Sequence, residues 1–398
     1  MDSQLSGIRP PADRVMLFIM LLLMALGALM IYSSTSVVSP VLPGRDISGF
    51  YYFRRHLFTM VVGGLAMFFT YKLNPSLIGK MALPLMIFSF FLLLLVFVQG
   101  IGVSAGGARR WIKLWPTTFQ PSELVKLTMV IFLAKFMSSP AYNTERLSSF
   151  LIPLLVMGVF QVIFMLQPDF GATMSLAFLT FVMLFISGAR LKYMAYVILL
   201  SLPIIYKLIM EPYRLKRFTT FLDPWKDPQG SGFQLVQSFI AFGSGGLTGL
   251  GLGESKQKLS FLPAAHTDFI FSLMGEEIGF IGVSVVVVLF LVLFIRGISI
   301  ANRSKNSFVY YLAYGLTMMI SLQALINFAV VLGMVPTKGL PLPFMSYGGS
   351  ALLVNMAAVG ILLGISRGED NGPAVERHDI KVRRMARRNI YKRKGYRI

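Results

Sequence analysis

Apolar runs of about twenty residues, separated by polar links, recur from one end of the chain almost to the other. As a helix rising 1.5 Å per residue, such a run crosses the ~30 Å hydrocarbon core of a bilayer. Ten are predicted, at residues 15–35, 56–72, 81–100, 121–138, 149–167, 170–188, 191–210, 268–295, 308–333 and 346–366. Because the runs are continuous and do not alternate, the pattern predicts an all-α polytopic membrane protein and argues against a barrel. Most links are short. One, residues 211–267, far exceeds the ordinary loop of ~4–6 residues. It holds Phe218, Phe221, Trp225, Phe233, Phe239 and Phe242 beside a glycine-rich run, GSGGLTGLGLGES, which predicts short helices packed over the bundle. No repeat of the roughly 20–50-residue kind is visible, and no soluble second domain.

Composition agrees with this pattern. Of 398 residues 55% are hydrophobic and 14% charged, with mean hydropathy +0.70, whereas a soluble domain carries about a quarter charged residues. The net charge of +20 raises the question of nucleic acid, but its distribution argues otherwise. Eleven of the 37 Lys and Arg lie from Arg367 onward. A basic tail after a final span is the pattern of a cytoplasmic terminus beside anionic lipid, so no nucleic-acid partner is expected. An even number of spans then puts both termini inside, with 1–14 as a short cytoplasmic N-terminus, 15–366 as the membrane domain and 367–398 as the tail. Arg9 and Arg14 before the first run resemble a signal sequence. The run is longer than the usual ~7–15-residue cleavable core and reads as a retained anchor. Arg45, Arg54, Arg55, Arg109, Arg110 and Lys113 break the rule by falling on the external side. Cysteine is absent, and the three histidines, His56, His266 and His378, are too scattered for a zinc cluster.

Ionisable groups at span mouths carry the candidate chemistry. Asp268 stands at the external mouth of the eighth run. From there to Arg296 would be ~42 Å of helix, longer than the hydrocarbon is thick, so the helix must tilt or stand above the lipid. A structural role as a helix N-terminal carboxylate is the competing reading. Lys126 lies ~7 Å inside the fourth run by the same rise and needs an acidic partner. Glu123, three residues earlier, is on its face. Asp169, Glu276 and Glu277 are further carboxylates of the external half. Arg109, Arg110 and Lys113 beside Trp111 and Trp115, with Arg214, Lys216, Arg217 and Lys338, form an external set of cations suited to phosphate oxygens, although interfacial anchoring would use the same residues. The residues alone fit an enzyme acting on a lipid-linked anion or a transporter moving one. No P-loop is present to drive pumping with ATP.

The stretches GARRWI (107–112), QPSELVK (120–126), QPDFG (167–171), FLDPWKDPQGSGFQLVQS (221–238), LPAAHTDFIFSLMGEEIGFIG (262–282) and PTKGLPLPFMSYGGS (336–350) resemble the SEDS family of bacterial cell-wall synthesis, its division branch more than its elongation branch. The resemblance implies ten spans and a peptidoglycan glycosyltransferase that polymerises lipid II into undecaprenyl-linked glycan in the bacterial inner membrane. Its implied partners are a class B penicillin-binding transpeptidase and other divisome proteins. It places the essential aspartate on Asp268, with Arg110, Trp111 and Lys126 as further family positions. Gln237, Ser238 and Ser346 in the matching motifs join Glu123, Asp169, Arg109, Arg214, Arg217, His266, Glu277 and Lys338 as candidate substrate contacts. Ala264 departs from the glutamate common in relatives, so any role of that glutamate is absent here or passes to a neighbour such as Glu277. A divalent cation (Mg or Mn) would help the diphosphate leave, but no ligand spacing identifies a metal site. A lipid II flippase and a non-catalytic scaffold are the rival expectations.

Overall fold

A computed structural model describes residues 11–35, 50–105, 107–114, 117–257, 266–337 and 339–368. The elements are α1 (Arg14–Thr35), α2 (Phe50–Lys72), α3 (Pro75–Lys80), α4 (Ala82–Leu94), β1 (Gly102–Ala105), β2 (Ala108–Leu114), β3 (Thr117–Phe119), α5 (Pro121–Met137), α6 (Leu147–Leu166), α7 (Phe170–Ile186), α8 (Leu191–Ile209), α9 (Pro212–Leu222), α10 (Phe233–Gly245), α11 (Ile270–Arg303), α12 (Ser307–Val331) and α13 (Gly349–Ser366). Each of the ten expected spans is occupied by a helix. Five are long and apolar enough to cross a bilayer by length and composition alone: α1, α6, α11, α12 and α13. The others are shorter or carry polar residues at one end.

The bundle is arranged from a buried centre to an apolar rim. Nearly all of α13 is buried, with α2, α5 and α12 packed around it. Gly360 and Gly364 let α2 approach closely, since a Cβ at Gly360 would collide with the Met67 carbonyl oxygen. Small residues at such contacts are how helices associate where lipid removes the hydrophobic drive. At the rim α8 has no buried residue among those described, and Leu199 and Leu200 are 63% and 74% exposed. That surface suits contact with lipid tails.

Three features depart from the sequence expectation. The third run ends early: α4 tightens into a 3-10 turn at Leu95–Phe97, and the chain then forms an antiparallel sheet of order β1-β2-β3. In that sheet Val103 pairs with Trp111 and Ile112 with Phe119. The eighth run is two helices, because Gly279 breaks it with φ 66° and ψ −171°, a conformation open mainly to glycine. Residues 280–303 after the break span about 36 Å, a full crossing. The turn before it, with Asp268, therefore stands clear of the membrane-spanning part, which resolves the excess length. Finally, α11 runs on to Arg303, so Arg296 is helical and its guanidinium reaches Asp13 at 2.6 Å at the far end of the bundle.

The glycine-rich loop after α10 closes the break in α11. Leu250 N and Gly251 N donate to the carbonyls of Glu276 and Glu277, while Phe280 N and Ile281 N donate to those of Gly246 and Leu247. Backbone groups that the kink would leave bare are thus satisfied by the loop. As expected, the long link folds into short helices, and α10, with Leu235, Val236 and Ala241 buried, packs on α11.

Candidate active site

Asp268 lies two residues before α11, in a turn held from both sides. The Asn327 amide on α12 donates to the Asp268 carbonyl at 2.9 Å and to the Leu340 carbonyl at 2.7 Å. That pins the 339–342 segment against the turn. Gly339 is the contact point: a Cβ there would sit 2.7 Å from Asp268 Oδ2. Beyond it, Phe344 takes φ 66°, uncommon for a bulky residue, at the bend that presents Met345–Tyr347. Tyr347 N then donates to the His266 carbonyl at 2.9 Å, closing the loop over the turn.

The Asp268 carboxylate accepts no hydrogen bond among the described residues, and the residue is half-buried. Burial pushes its pKa up from 3.8 to about 7, while the Arg110 guanidinium opposes the shift. A carboxylate poised near neutrality next to a fixed cation is suited to general-base work. Burial also holds the neighbouring imidazole of His266 below its ordinary value. His266 does not hydrogen-bond Asp268 through a described contact. Its ring packs between Tyr52 and Tyr347, with centroids 5.1 and 5.7 Å away.

Arg110 is aimed by strand β2. It donates to the carbonyls of Gln167 (3.5 Å) and Pro168 and lies 4.0 Å from Asp169 Oδ1. Asp169 caps α7 through Ala172 N and accepts from Gln120 Nε2 at 3.0 Å and Ser122 Oγ at 3.4 Å. Its charge is therefore committed to holding Arg110 and the start of α5. The β1–β2 register skips Arg110, a bulge that re-aims its side chain. Arg109 instead is exposed and reaches Ser104 Oγ at 3.3 Å, so the two arginines have different partners. The two adjacent arginines are not one fork. Trp111, opposite Val103 on β1, is half-buried.

Lys126 and Glu123 meet at 2.9 Å, both buried. Lys126 Nζ also donates to Gln323 Oε1 at 2.9 Å, and Gln323 Nε2 donates to the Pro341 carbonyl at 2.9 Å. This series of bonds holds the 339–342 segment that packs on the Asp268 turn. Ser238 is fully buried, between Ser272 Oγ and the Val331 carbonyl. Ser346 Oγ accepts from Leu342 N. Both act within the fold. Glu277 is not brought to Asp268: it is 1% exposed and accepts from Ser33 Oγ of α1 at 2.6 Å. Gln237, on α10, is half-buried. The Arg214 and Arg217 side chains, Lys338, Ala264, Trp115 and the tail beyond Gly368 lie outside the described residues. Asn327, Gln323, Gly339, Tyr52 and Tyr347 were missed in the sequence. Gln323 and Asn327, one helical turn apart within an apolar run, are the signal that was available.

These features define a class: a multi-pass membrane protein that gathers one uncommitted carboxylate and one aimed arginine at the mouth of its bundle. The chain belongs to the FtsW/RodA/SpoVE family of cell cycle proteins, whose model matches residues 13–371. It is 42% identical over 356 residues to the probable peptidoglycan glycosyltransferase FtsW of Geobacter sp. strain M18, covering 89% of this chain and 96% of that one. It is 40% identical over 358 residues to the stage V sporulation protein E of Bacillus subtilis strain 168, covering 89% and 97%. Among solved structures it resembles a chain from work on the coordination of polymerization and crosslinking by a peptidoglycan synthase complex (TM-score 0.75, 30% identity, 91% of this chain and 99% of that one). It also resembles the rod shape determining protein RodA of Thermus thermophilus (TM-score 0.67, 28% identity, 91% and 98%).

Proposed function

We propose that this protein is a peptidoglycan glycosyltransferase that joins lipid II units at the outer face of the bacterial cytoplasmic membrane, with both termini in the cytoplasm. The carrying observation is Asp268: a half-buried carboxylate without a described hydrogen-bond donor, with a pKa of about 7 and Arg110 in electrostatic reach. Asp268 takes the proton from the 4-hydroxyl of an incoming lipid II sugar. The freed oxygen bonds to the anomeric carbon of the growing chain as the bond from that carbon to the phosphate oxygen breaks. Undecaprenyl diphosphate leaves with the bonding electrons, and attack from the opposite face inverts the centre. Arg110, fixed by Asp169 and two carbonyls, faces the charge that develops on the leaving group. Donors set in place before reaction stabilise such charge without reorganising.

A divalent cation does not fit as a resident group. Among the described residues no three His, Asp or Glu side chains converge, and Asp268 has an arginine for its charged neighbour. A Mg or Mn ion would have to arrive with the diphosphate. Relatives named FtsW support a division role, and the likeness to a chain of a peptidoglycan synthase complex supports a class B penicillin-binding transpeptidase as partner, with other divisome proteins around it. The basic tail from Arg367 suits anionic lipid of the inner leaflet.

The test uses purified full-length protein and labelled lipid II, with and without the transpeptidase. Glycan strands from the native protein and none from Asp268→Ala are expected. Translocation of lipid II across vesicles without polymer would replace this reading with a flippase.

A further inference from the structure

The cations at the start of α2 have no part in the site described so far. Arg54 and Arg55 sit on its first turns at the Asp268 end of the bundle, the side where cations are normally scarce. With Tyr51 and Phe58 they line an open cavity of about 340 Å³ on the outer surface. Arg55 is held in one orientation: it donates to the Tyr51 hydroxyl at 2.8 Å and lies 5.3 Å from that ring's centre. Its buried Nε has no hydrogen-bond partner. Among the described residues no acidic side chain pairs with either arginine.

This cavity is one wall away from Asp268. Arg55 acts electrostatically on the Tyr347 phenol. The Tyr347 ring packs against Tyr52 at 5.5 Å and His266 at 5.7 Å, and its backbone bonds His266, two residues before Asp268. His56 completes the wall, 6.4 Å from Tyr347 and buried. Arg110, in contrast, acts on Asp268 itself.

Joining two lipid-linked sugars makes two different demands on phosphate binding. The donor diphosphate must lie at the bond being broken, where Arg110 stands. The acceptor keeps its diphosphate, which is two sugar rings from the attacking hydroxyl and must be held at a distance from the base. We propose that Arg54 and Arg55, flanked by Tyr51 and Phe58, hold the diphosphate of the acceptor lipid, with Tyr52 and Tyr347 between it and Asp268. Phe58, Val61 and Leu65, all exposed on α2, continue from the cavity toward the membrane and offer a lane for the isoprenoid tail. Arg forks match phosphate oxygens in pairs, and the terminal guanidinium nitrogens of the two arginines are the donors that the open cavity can reach. The inference rests on the polymerase reading.

The experiment compares the native protein with the double variant Arg54→Ala/Arg55→Ala in phosphatidylcholine nanodiscs, reading KM and kcat for lipid II. Binding of labelled lipid II is measured in parallel on an Asp268→Asn background, which separates affinity from turnover. Loss of charged hydrogen bonds should raise KM and weaken binding by about tenfold or more, with kcat at saturating lipid II little changed. Arg54→Lys/Arg55→Lys, which keeps the charge and controls for folding together with a thermal melt, should fall in between. Phosphatidylglycerol at equal surface density should fail to displace lipid II. An unchanged KM and affinity in the alanine variant overturns the proposal. So does equal competition by phosphatidylglycerol, which would make the patch a general lipid anchor. If the native protein makes no glycan, the polymerase reading fails, whereas normal polymerisation by the alanine variant at native KM removes only the acceptor site.

Discussion

Two groups of carboxylates at the same end of the bundle behave in opposite ways. Glu123, Asp169, Glu276 and Glu277 are all buried and all engaged: Glu123 by Lys126, Asp169 by a helix N-terminus and Arg110, Glu276 by Ser255 and the backbone at Lys256 and Gln257, Glu277 by Ser33. Asp268 is half-buried and accepts no described hydrogen bond, and its charge is opposed by burial more than it is relieved by Arg110. Burying a charge is expensive unless it is paired, so the paired carboxylates are accounted for by structure. The one held near neutrality without a donor needs another explanation, and proton transfer supplies it.

The comparison breaks most sharply at Asp268. Asp268→Asn should lower polymerisation by roughly 10²–10⁴-fold, the usual contribution of a general base, with the melting transition intact. An equally large loss of folded protein would place Asp268 among the structural carboxylates. Glu123→Gln should do the reverse, destabilising by about 3–5 kcal/mol because Lys126 stays buried without its partner. Adding Lys126→Met should recover most of that loss in a denaturation series, and no recovery would mean the pair is not a unit. Arg110→Ala should lower kcat by roughly a hundredfold and also shift the pH profile.

The pH dependence sharpens the same contrast. Asp268 works as a base only when ionised, so kcat/KM should rise with pH and level off above about 7. Removing Arg110 takes away the cation that favours the charged form, so the limb should move to higher pH. Stability carries the opposite sign. Between the ordinary value of 3.8 and about 7 the folded protein holds a proton that the unfolded chain has released, so stability falls as pH rises through that window. Asp268→Asn should remove this slope, as melts on either side of the folded pKa would read. The smallest expected effect is at Glu276: Glu276→Gln should loosen residues 255–257, raising their amide exchange while turnover changes little.

The membrane architecture was legible because each span must satisfy its backbone within itself and present apolar side chains, which writes the element directly into a run of residues. Lys126 with Glu123 was legible for a similar reason, as helical spacing alone brings i and i+3 together. Asp268 was singled out by its position at a span mouth and by family resemblance. The sheet was hidden because its strands are short and lie in a polar link, and without it Arg109 and Arg110 read alike, as two members of one external set of cations. The break at Gly279 was invisible within an apolar run, since the partners that satisfy the backbone groups it leaves bare come from the distant 246–251 loop. What sequence by itself determined was which segments enter the bilayer and which charges sit at their ends. Tertiary structure alone decided which of those charges satisfy each other and which one is left to react. Gly339, Asn327, Tyr52 and Tyr347 gather around the Asp268 turn from separate segments of chain, and no local periodicity encodes a meeting among residues so far apart.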